Sequence, residues 1–302
     1  MTGRDGTESD AGPRRVSVGL VGRNIAASRS PWMHEREGRA QGLDLRYRLF
    51  DFVTLGRDGS HLDAQLAEAE RCGYAGLNIT YPYKQSVIPL LHELSAGAAR
   101  VGAVNTIQFR HGRRIGHNTD VTGFAESLRR GLPGAALASV LQVGAGGGGS
   151  ATAQALLDSG TGVLSVFDSD AARARTLVDR LQGQFGPDRA RVAATPDAVI
   201  ATADGVVNAT PVGMASNPGS PVDPARLRPT QWVADIVYFP LETELLRGAR
   251  ARGCATLDGS GMAVYQAAAA FDLFTGLSAD RERMRRSFLE FGAIPLPQGV
   301  GA

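Results

Sequence analysis

The sequence predicts an α/β protein with two α/β domains around a cleft, the second of them built on a doubly wound parallel sheet. A chain of 302 residues is long enough for about two domains. Short apolar runs alternate with longer helical stretches, and a glycine-rich turn connects a strand to a helix near the middle of the chain. We expect a disordered tail over residues 1–13, one domain over residues 14–118 plus 259–302, and a second over residues 119–258.

The composition is that of an ordinary soluble globular protein, with 43% hydrophobic and 21% charged residues. The net charge is +2 and the arginines form small clusters, so no nucleic-acid partner is expected. No apolar run reaches the roughly 18–20 residues of a membrane span and no signal peptide is recognisable, so we expect a cytoplasmic protein without membrane contact. Cys72 and Cys254 lack the spacing of metal ligands, so no metal site is expected.

The first strand is predicted over residues 15–22, and the tract Ser28-Arg29-Ser30-Pro31 follows it. Pro31 suits the first position of a helix that runs to about Gln41, which makes Ser30 the predicted N-cap. Two hydroxyls and an arginine beside a helix N-terminus could also hold a carboxylate. Both interpretations of the serines stay open at this point.

A short buried strand is predicted over residues 77–80, and Pro82 cannot continue its hydrogen-bond ladder. The chain therefore turns and places Lys84 beyond the strand end. A partly desolvated lysine can have its pKa lowered to roughly 7–8 and exchange protons, whereas a solvated lysine after a turn has no such role. The other elements predicted in the first half are strands over 46–50 and 103–107 and helices over 62–72, 87–94 and about 120–132.

Two polar residues stand out near the end of the first half. Asn105 interrupts an apolar run, and a buried amide must find partners in the backbone or in a ligand. Asn118 or Thr119 is expected to cap the helix that begins near Asp120. An acid in the first turn of a helix is favourable for the helix dipole alone.

The second half begins with a glycine-rich turn, residues 144–149, between a strand over 139–143 and a helix over 151–157. This is G-x-G-x-x-G in a strand-turn-helix context, which predicts binding of a dinucleotide pyrophosphate. Asp168 lies 24 residues after Gly144, at the end of the next strand, where an acid binds ribose hydroxyls and repels a 2′-phosphate. The sequence therefore predicts NAD rather than NADP, although Arg173 or Arg175 could accommodate that phosphate.

The alternation of strands and helices then continues to the end of the chain. The loop over residues 208–214 and the strand end that carries Tyr238 are expected to line the cofactor cleft. A long apolar helix over 262–275 contains Gln266 and must be covered, most simply by the first domain. The remaining predictions are helices over 171–181, 196–201, 242–251 and 280–291 and strands near 192, over 205–208, over 232–236 and near 255.

Seven tracts together resemble the shikimate dehydrogenase family, in order and over nearly the whole chain. Within that family the chain looks most like the actinobacterial NAD-dependent quinate/shikimate dehydrogenases, because of Asp168 and the tracts over 117–121 and 242–246. The seven tracts are residues 28–31, 78–84, 102–106, 118–120, 144–149, 208–214 and 259–266.

The resemblance implies an oxidoreductase that interconverts a ring polyol carboxylate and its 3-keto form, with hydride passing to or from NAD. The first domain would bind this small-molecule substrate, and the second would be a Rossmann domain that binds NAD. The implied catalytic pair is Lys84 and Asp120, and the implied substrate-binding residues are Ser28, Ser30, Thr80, Asn105, Tyr238 and Gln266. The implied cofactor-binding residues are Gly144, Ala145, Gly146, Gly147, Asp168, Arg173, Thr210, Ile236 and Gly259.

The chain departs from relatives in two places. NADP-reading members carry an Asn-Arg-Thr type tract where this chain has Phe-Asp-Ser-Asp over 167–170, which supports NAD. Quinate-preferring members tend to have threonine at the position of Ser30, which favours shikimate as the better substrate. The alternatives are an amino analogue of shikimate or quinate as the substrate, or a catalytically silent nucleotide-sensing homologue. The sequence does not distinguish a monomer from a homodimer, and it does not indicate the physiological direction of the reaction.

Overall fold

The computed structural model describes residues 12–291. Residues 1–11 of the predicted tail and residues 292–302 of the predicted first domain lie outside the described part. Helices surround two six-stranded sheets, one in each half of the chain, which confirms the predicted fold class. A strand end of each sheet meets at the candidate site, where Lys84 of the first half lies beside Gly147 of the second.

The first sheet is mixed, with strand order β2-β1-β3-β5-β6-β4. Strand β1 is parallel to both β2 and β3, whereas β5 is antiparallel to β3 and to β6. His111 and Gly112 both have positive φ and form the tight turn of the β5–β6 hairpin. The strands are β1 (Arg14–Gly22), β2 (Leu43–Asp51), β3 (Gly76–Ile79), β4 (Glu93–Leu94), β5 (Thr106–Arg110) and β6 (Arg113–His117).

The second sheet is parallel throughout, with strand order β12-β11-β10-β7-β8-β9. Successive strands are added outward on one side from β7 and on the other side from β10, so the strand order reverses between these two neighbours. A ligand crevice forms at such a switch point, outside the carboxyl ends of the strands. This is the predicted doubly wound sheet. The strands are β7 (Ser139–Val143), β8 (Val163–Phe167), β9 (Ala190–Val192), β10 (Gly205–Asn208), β11 (Trp232–Asp235) and β12 (Ala255–Leu257).

Most helices begin and end close to their predicted bounds. The helix predicted over 87–94 is wrong: residues 88–90 form a 3₁₀ turn and β4 follows, because Pro89 lacks an N–H and Leu91 is extended. The helices are α1 (Ser30–Ala40), α2 (Leu62–Arg71), α3 (Ala96–Val101), α4 (Thr119–Gly131), α5 (Gly147–Asp158), α6 (Ala171–Phe185), α7 (Asp197–Ile200), α8 (Glu244–Ala251), α9 (Ser260–Thr275) and α10 (Arg281–Phe291).

The apolar helix α9 connects the two halves. Phe271 and neighbouring residues of α9 pack with β1, β2, α1 and α10 in one core, so the chain does return to the first sheet. On its other side α9 approaches α4 closely: a Cβ on Gly123 would lie 2.8 Å from the backbone oxygen of Met262. Because Phe124 and Leu128 of α4 belong to the core of the second sheet, the α4–α9 pair holds the two cores together.

Candidate active site

A lysine and a carboxylate meet where the two halves of the chain face each other. Lys84 follows β3 after the turn at Pro82, and its Nζ donates to Oδ2 of Asp120 at 2.7 Å. The Lys84 side chain is 20% exposed and that of Asp120 6%. A Cβ on Gly147 would lie 3.3 Å from Cδ of Lys84, so this ion pair lies directly beside the glycine-rich turn. A group that can exchange protons thus adjoins the predicted dinucleotide site.

Lys84 is the only lysine in the chain, although lysine and arginine together number 32. Arginine therefore provides every other cationic side chain. A guanidinium stays protonated in proteins, whereas an ammonium can give up a proton. The choice of lysine at this one position fits a role that requires deprotonation.

A buried amide network fixes the position of Asp120. The side-chain oxygen of Asn105 accepts the backbone N–H of Thr119 at 2.8 Å, and its Nδ2 donates to Oγ1 of Thr119 at 2.9 Å. Asn118 caps α4 by accepting the N–H of Val121, and its Nδ2 donates to the carbonyl of Ala103 at 2.9 Å. The first turn of α4, which carries Asp120, is therefore anchored to the end of the first sheet, and Asn118 is the predicted cap.

The paired serines lie at the start of α1. The predicted N-cap role of Ser30 is wrong, because Arg29 adopts the helical conformation at the cap position and no side-chain cap bond forms. Pro31 has no N–H, which leaves one fewer amide to satisfy there. The N–H of Ser30 donates to Oγ of Ser28 at 3.3 Å, and the Ser30 hydroxyl lies near the phenol of Tyr47, which itself donates to Oδ1 of Asn78 at 2.8 Å. The Ser30 hydroxyl therefore lies beside Tyr47 of β2 and does not cap the helix.

Arg29, between the two serines, is a buried cation that the sequence did not single out. Its Nη1 donates to the backbone carbonyl of Phe288 at 3.0 Å, and its guanidinium carbon lies 4.3 Å from the centroid of the Phe288 ring. Burial lowers the pKa of Arg29, and the neighbouring Tyr238 opposes this shift. Arg29 forms no salt bridge with any acid of residues 12–291, which leaves its charge available to an anion.

Tyr238 projects from the loop after β11 into the same region. Its ring meets that of Phe288 edge-on, with centroids 6.1 Å apart. Burial raises the pKa of the Tyr238 phenol, and the charges of Lys84 and Arg29 oppose the shift while Asp120 reinforces it. These groups, which come from four separate segments, are therefore near enough to influence one another electrostatically.

Thr80 and Gln266 are the two remaining residues predicted to bind substrate. Thr80 lies at the end of β3, and Gln266 lies on α9. Thr80 follows β3, and its methyl group occupies the space beside Gly22 at the end of β1, where a Cβ would collide with it. The Nε2 of Gln266 donates to the carbonyl of Ala263 on its own helix at 3.0 Å. Gln266 therefore has a local partner, and its side-chain oxygen remains free to accept.

A buried glutamine that sequence reasoning missed holds the glycine-rich turn. Nε2 of Gln142 donates to the carbonyls of Gly144 and Gly149, both at 2.8 Å, and its Oε1 accepts from Thr152 at 2.8 Å. Gly144 has a φ of +107°, and a Cβ there would lie 2.5 Å from the carbonyl oxygen of Ala209. A polar residue inside an apolar strand just before the turn was the signal that could have identified Gln142.

Asp168 lies where the sequence predicts it, at the end of β8 against the glycine-rich turn. Its Oδ2 accepts the N–H of Ala145 at 2.7 Å, and its Oδ1 accepts the N–H of Asp170 at 2.9 Å. Nη1 of Arg173 lies 3.5 Å from Oδ1 of Asp168. The acid is thus part of the wall that a ribose would meet, and Arg173 partly balances its charge.

Loops after β10 and β11 complete this edge of the second sheet. Oγ1 of Thr210 donates to Asn208 at 2.7 Å, and Nδ2 of Asn208 donates to Oδ1 of Asp235 at 2.9 Å. Burial raises the pKa of Asp235 to about 6, although hydrogen bonds from Val237, Thr243 and Asn208 lower it. A Cβ on Gly259 would lie 2.5 Å from the carbonyl oxygen of Ile236, and the Ile236 side chain reaches Gly148. All predicted cofactor positions therefore follow one rim.

Two features are absent from the described residues. No helix between residues 12 and 291 is both long and apolar enough to cross a bilayer. The same residues contain no group of three or more His, Cys, Asp or Glu side chains placed to hold a metal ion.

A lysine–carboxylate pair beside a Rossmann glycine turn defines the class as a two-domain oxidoreductase that binds a dinucleotide. Residues 20–107 match the family described as the shikimate dehydrogenase substrate binding domain, and residues 259–287 match the shikimate 5′-dehydrogenase C-terminal domain. The chain belongs to the shikimate dehydrogenase family, and it is an oxidoreductase that acts on CH–OH groups with a nicotinamide cofactor.

Relatives whose names specify NADP and relatives whose names specify NAD are about equally similar in sequence to this chain. The shikimate dehydrogenase (NADP(+)) of Pseudarthrobacter chlorophenolicus is 53% identical, over 91% of this chain and 95% of its own. The quinate/shikimate dehydrogenase (NAD(+)) of Corynebacterium efficiens is 51% identical, over 91% of this chain and 98% of its own. A solved quinate dehydrogenase from Corynebacterium glutamicum in complex with NAD has a TM-score of 0.87 and 48% identity, and covers 92% of this chain and 99% of its own.

Proposed function

We propose that this protein is an NAD-dependent shikimate/quinate dehydrogenase. It interconverts the 3-hydroxyl of shikimate or quinate with the ketone of the corresponding 3-dehydro acid. The observation that carries the proposal is the 2.7 Å ion pair of Lys84 and Asp120 beside Gly147. Residues 14–118 plus 259–302 bind the ring acid, and residues 119–258 bind NAD.

Lys84 is the proposed acid–base group. When bound, NAD supplies the acceptor for a hydride. As the ring hydroxyl is oxidised, its proton passes to the neutral Lys84 amine, and in the reverse direction the ammonium returns a proton to the ketone oxygen. Asp120 orients the amine through Oδ2 and can accept a hydrogen bond from the same hydroxyl. Asn105 and Asn118 hold Asp120 in place through the start of α4.

The ring acid is held from the opposite side by the serine tract. Ser28 and Ser30 are the proposed hydrogen-bond donors to its carboxylate, and the unpaired charge of Arg29 makes that position favourable for an anion. Thr80, Tyr238 and Gln266 are the proposed partners of the ring hydroxyls. Asn105 already binds Thr119 with both ends of its amide, so it reaches substrate only through its second N–H.

Asp168 is the proposed reason for a preference for NAD. Overall similarity does not decide between the cofactors, since relatives of both kinds share about half of their residues with this chain. The carboxylate of Asp168 is fixed against the amide of Ala145, where it can bind ribose hydroxyls and would repel a 2′-phosphate. Glycines 144, 146 and 147, together with Thr210, Ile236 and Gly259, provide the rest of the cofactor rim.

Initial rates with shikimate and quinate, each with NAD and with NADP, test the proposal. We expect turnover of at least one acid with NAD, and a lower kcat/KM with NADP. Activity only on amino-substituted ring acids would replace the substrate and keep the catalytic pair. NAD binding without turnover of any ring acid would favour a nucleotide-sensing protein and contradict the proposed function.

A further inference from the structure

A cavity of about 130 Å³ lies between the glycine-rich turn, helix α6 and the segment that carries Lys84. By this measure a single water molecule needs only about 10–15 Å³, so a small polyatomic anion fits the cavity. Ala145 of the turn and residues of α6 line the cavity, whereas Lys84 and Asp120 do not. The lining residues that bear on its chemistry are Gln85, Ala145, Ser150, Arg173, Thr176 and Arg180.

Arg180 gives the cavity an uncompensated charge. Its Nε and Nη2 are buried and have no hydrogen-bond partner within residues 12–291. Burial lowers the pKa of Arg180, and no neighbouring acid opposes the shift. Several other partly or fully buried arginines have partners: Arg283 binds Glu37 with two nitrogens, Arg114 binds Asp63 and Glu70, and Arg29 donates to the carbonyl of Phe288. A buried guanidinium without a counter-ion is costly, and a bound anion would remove that cost.

The surroundings of Arg180 match a phosphate-class anion. Arg173 lies two helical turns earlier on α6 and contributes a second guanidinium, which it shares with Asp168 and Asp170. A guanidinium presents forked donors that match the oxygens of phosphate. Gly102 leaves room for Nη1 of Arg180, because a Cβ there would lie 2.8 Å from that nitrogen.

We propose that Arg180, with Arg173 and Gln85, forms a binding site for a phosphate-class oxyanion. Gln85 belongs to the first half of the chain and directly follows Lys84, whereas Arg180 belongs to the second half. An anion held by both therefore ties the Lys84 segment to α6. The two halves of the chain already meet nearby, where Nε2 of Gln184 on α6 donates to the carbonyl of Arg100 on α3 at 2.8 Å. The site does not depend on the identity of the ring acid.

The phosphate group can come from two sources. Free inorganic phosphate is one of them. The 2′-phosphate of NADP is the other, because the cavity adjoins Ala145 and Arg173, which are proposed to lie along the dinucleotide. In the second case Arg180 would moderate the preference for NAD that Asp168 creates.

The test is the binding of inorganic phosphate to the full-length protein, by calorimetry and by thermal unfolding against chloride at matched ionic strength. Phosphate should raise the unfolding midpoint of the wild type, because it binds only the folded state. Arg180→Met should weaken phosphate binding by about tenfold or more, since it removes a charge-assisted hydrogen-bond donor. The phosphate affinity of Arg180→Lys should fall between those of the wild type and Arg180→Met. Arg129→Met, at an exposed position of α4, should bind phosphate as the wild type does.

The stability of Arg180→Met and its affinities for NAD and NADP are measured as well. In phosphate-free buffer Arg180→Met should unfold at the same or a higher temperature than the wild type, since it removes an unpaired buried charge. The Kd values of NAD and NADP, measured on both proteins, identify the source. A selective loss of NADP affinity in Arg180→Met assigns the site to the cofactor phosphate, and unchanged cofactor affinities assign it to free phosphate. Equal binding of phosphate and NADP by wild type and Arg180→Met would overturn the proposal.

Discussion

Oδ1 of Asn105 accepts the backbone N–H of Thr119 at 2.8 Å, so the residue directly before β5 anchors the first residue of α4, the helix that carries Asp120. Asn105→Ala leaves that buried N–H and the Thr119 hydroxyl without their partner. We expect the free energy of unfolding to fall by about 1–3 kcal/mol, as measured by urea denaturation. Asn217→Ala, at an exposed position, is the control and should change stability by less than about 0.5 kcal/mol. Equal stabilities of the two variants would contradict the anchoring role.

Arg29 should contribute to affinity for the substrate carboxylate. Arg29→Met keeps an apolar chain against Phe288 and removes the charge, so kcat/KM for the ring acid should fall about 10- to 100-fold, mostly through KM. The kcat/KM of Arg29→Met for the methyl ester of the same acid should differ little from that of the wild type, because the ester has no carboxylate charge for Arg29 to attract. Arg36→Met, which also loses a ring contact on α1, is the matched control. An equal loss for the acid and its ester would indicate a purely structural role.

His34 should make the protein sensitive to acid. Burial lowers its pKa to about 3 from an ordinary value of 6.5, and both ring nitrogens lack partners within residues 12–291. The unfolded state therefore binds a proton that the folded state refuses, so this contribution to stability is lost as pH falls from about 6.5 toward 3. His34→Leu should remove a slope of about 1.4 kcal/mol per pH unit between pH 6 and 4.

The comparison of His34→Leu with the wild type isolates this effect, because Asp235 titrates in both proteins. The raised pKa of Asp235, about 6, acts in the opposite direction and stabilises the fold as pH falls through 6. Urea denaturation at several pH values measures the difference between the two proteins. A difference that does not change between pH 6 and 4 would contradict the neutral state of His34.

Asp168→Asn should shift cofactor preference toward NADP. Asparagine keeps an oxygen that can accept the N–H of Ala145, so the glycine-rich turn stays in place while the charge is removed. The ratio of kcat/KM with NADP to that with NAD should rise about tenfold or more, as one charge repulsion near the 2′-phosphate is lost. Asp170→Asn removes a more exposed acid nearby and should change the ratio less. An unchanged ratio in Asp168→Asn would refute the assignment.

The sequence could predict the parts of the site that depend on neighbours in the chain. Gly144, Asp168 and the cap at Asn118 lie where strand ends and helix starts place them, and these boundaries are local properties. The fold class followed from the alternation of strands and helices for the same reason. Pro89 also acts locally, yet its effect was overlooked and the helix over 87–94 was wrong.

What could not be predicted depends on residues far apart in the chain. Arg29 is held by Phe288, and Arg180 faces Gly102, so neither environment is visible from sequence neighbours. The conformation of Arg29 decided against Ser30 as the N-cap. Lys84 was found from its turn and from the resemblance, whereas its being the only lysine in the chain was a stronger signal that sequence reasoning did not use.

The central claim is that Lys84 exchanges a proton with the ring hydroxyl, and Lys84→Arg tests it most directly. Arginine can keep the positive charge and the ion pair with Asp120 but does not deprotonate. We predict that kcat with NAD falls by a factor of about 10² to 10⁴ in Lys84→Arg, while the Kd of NAD stays within about twofold of the wild type. Turnover by Lys84→Arg at a rate near that of the wild type would contradict the account.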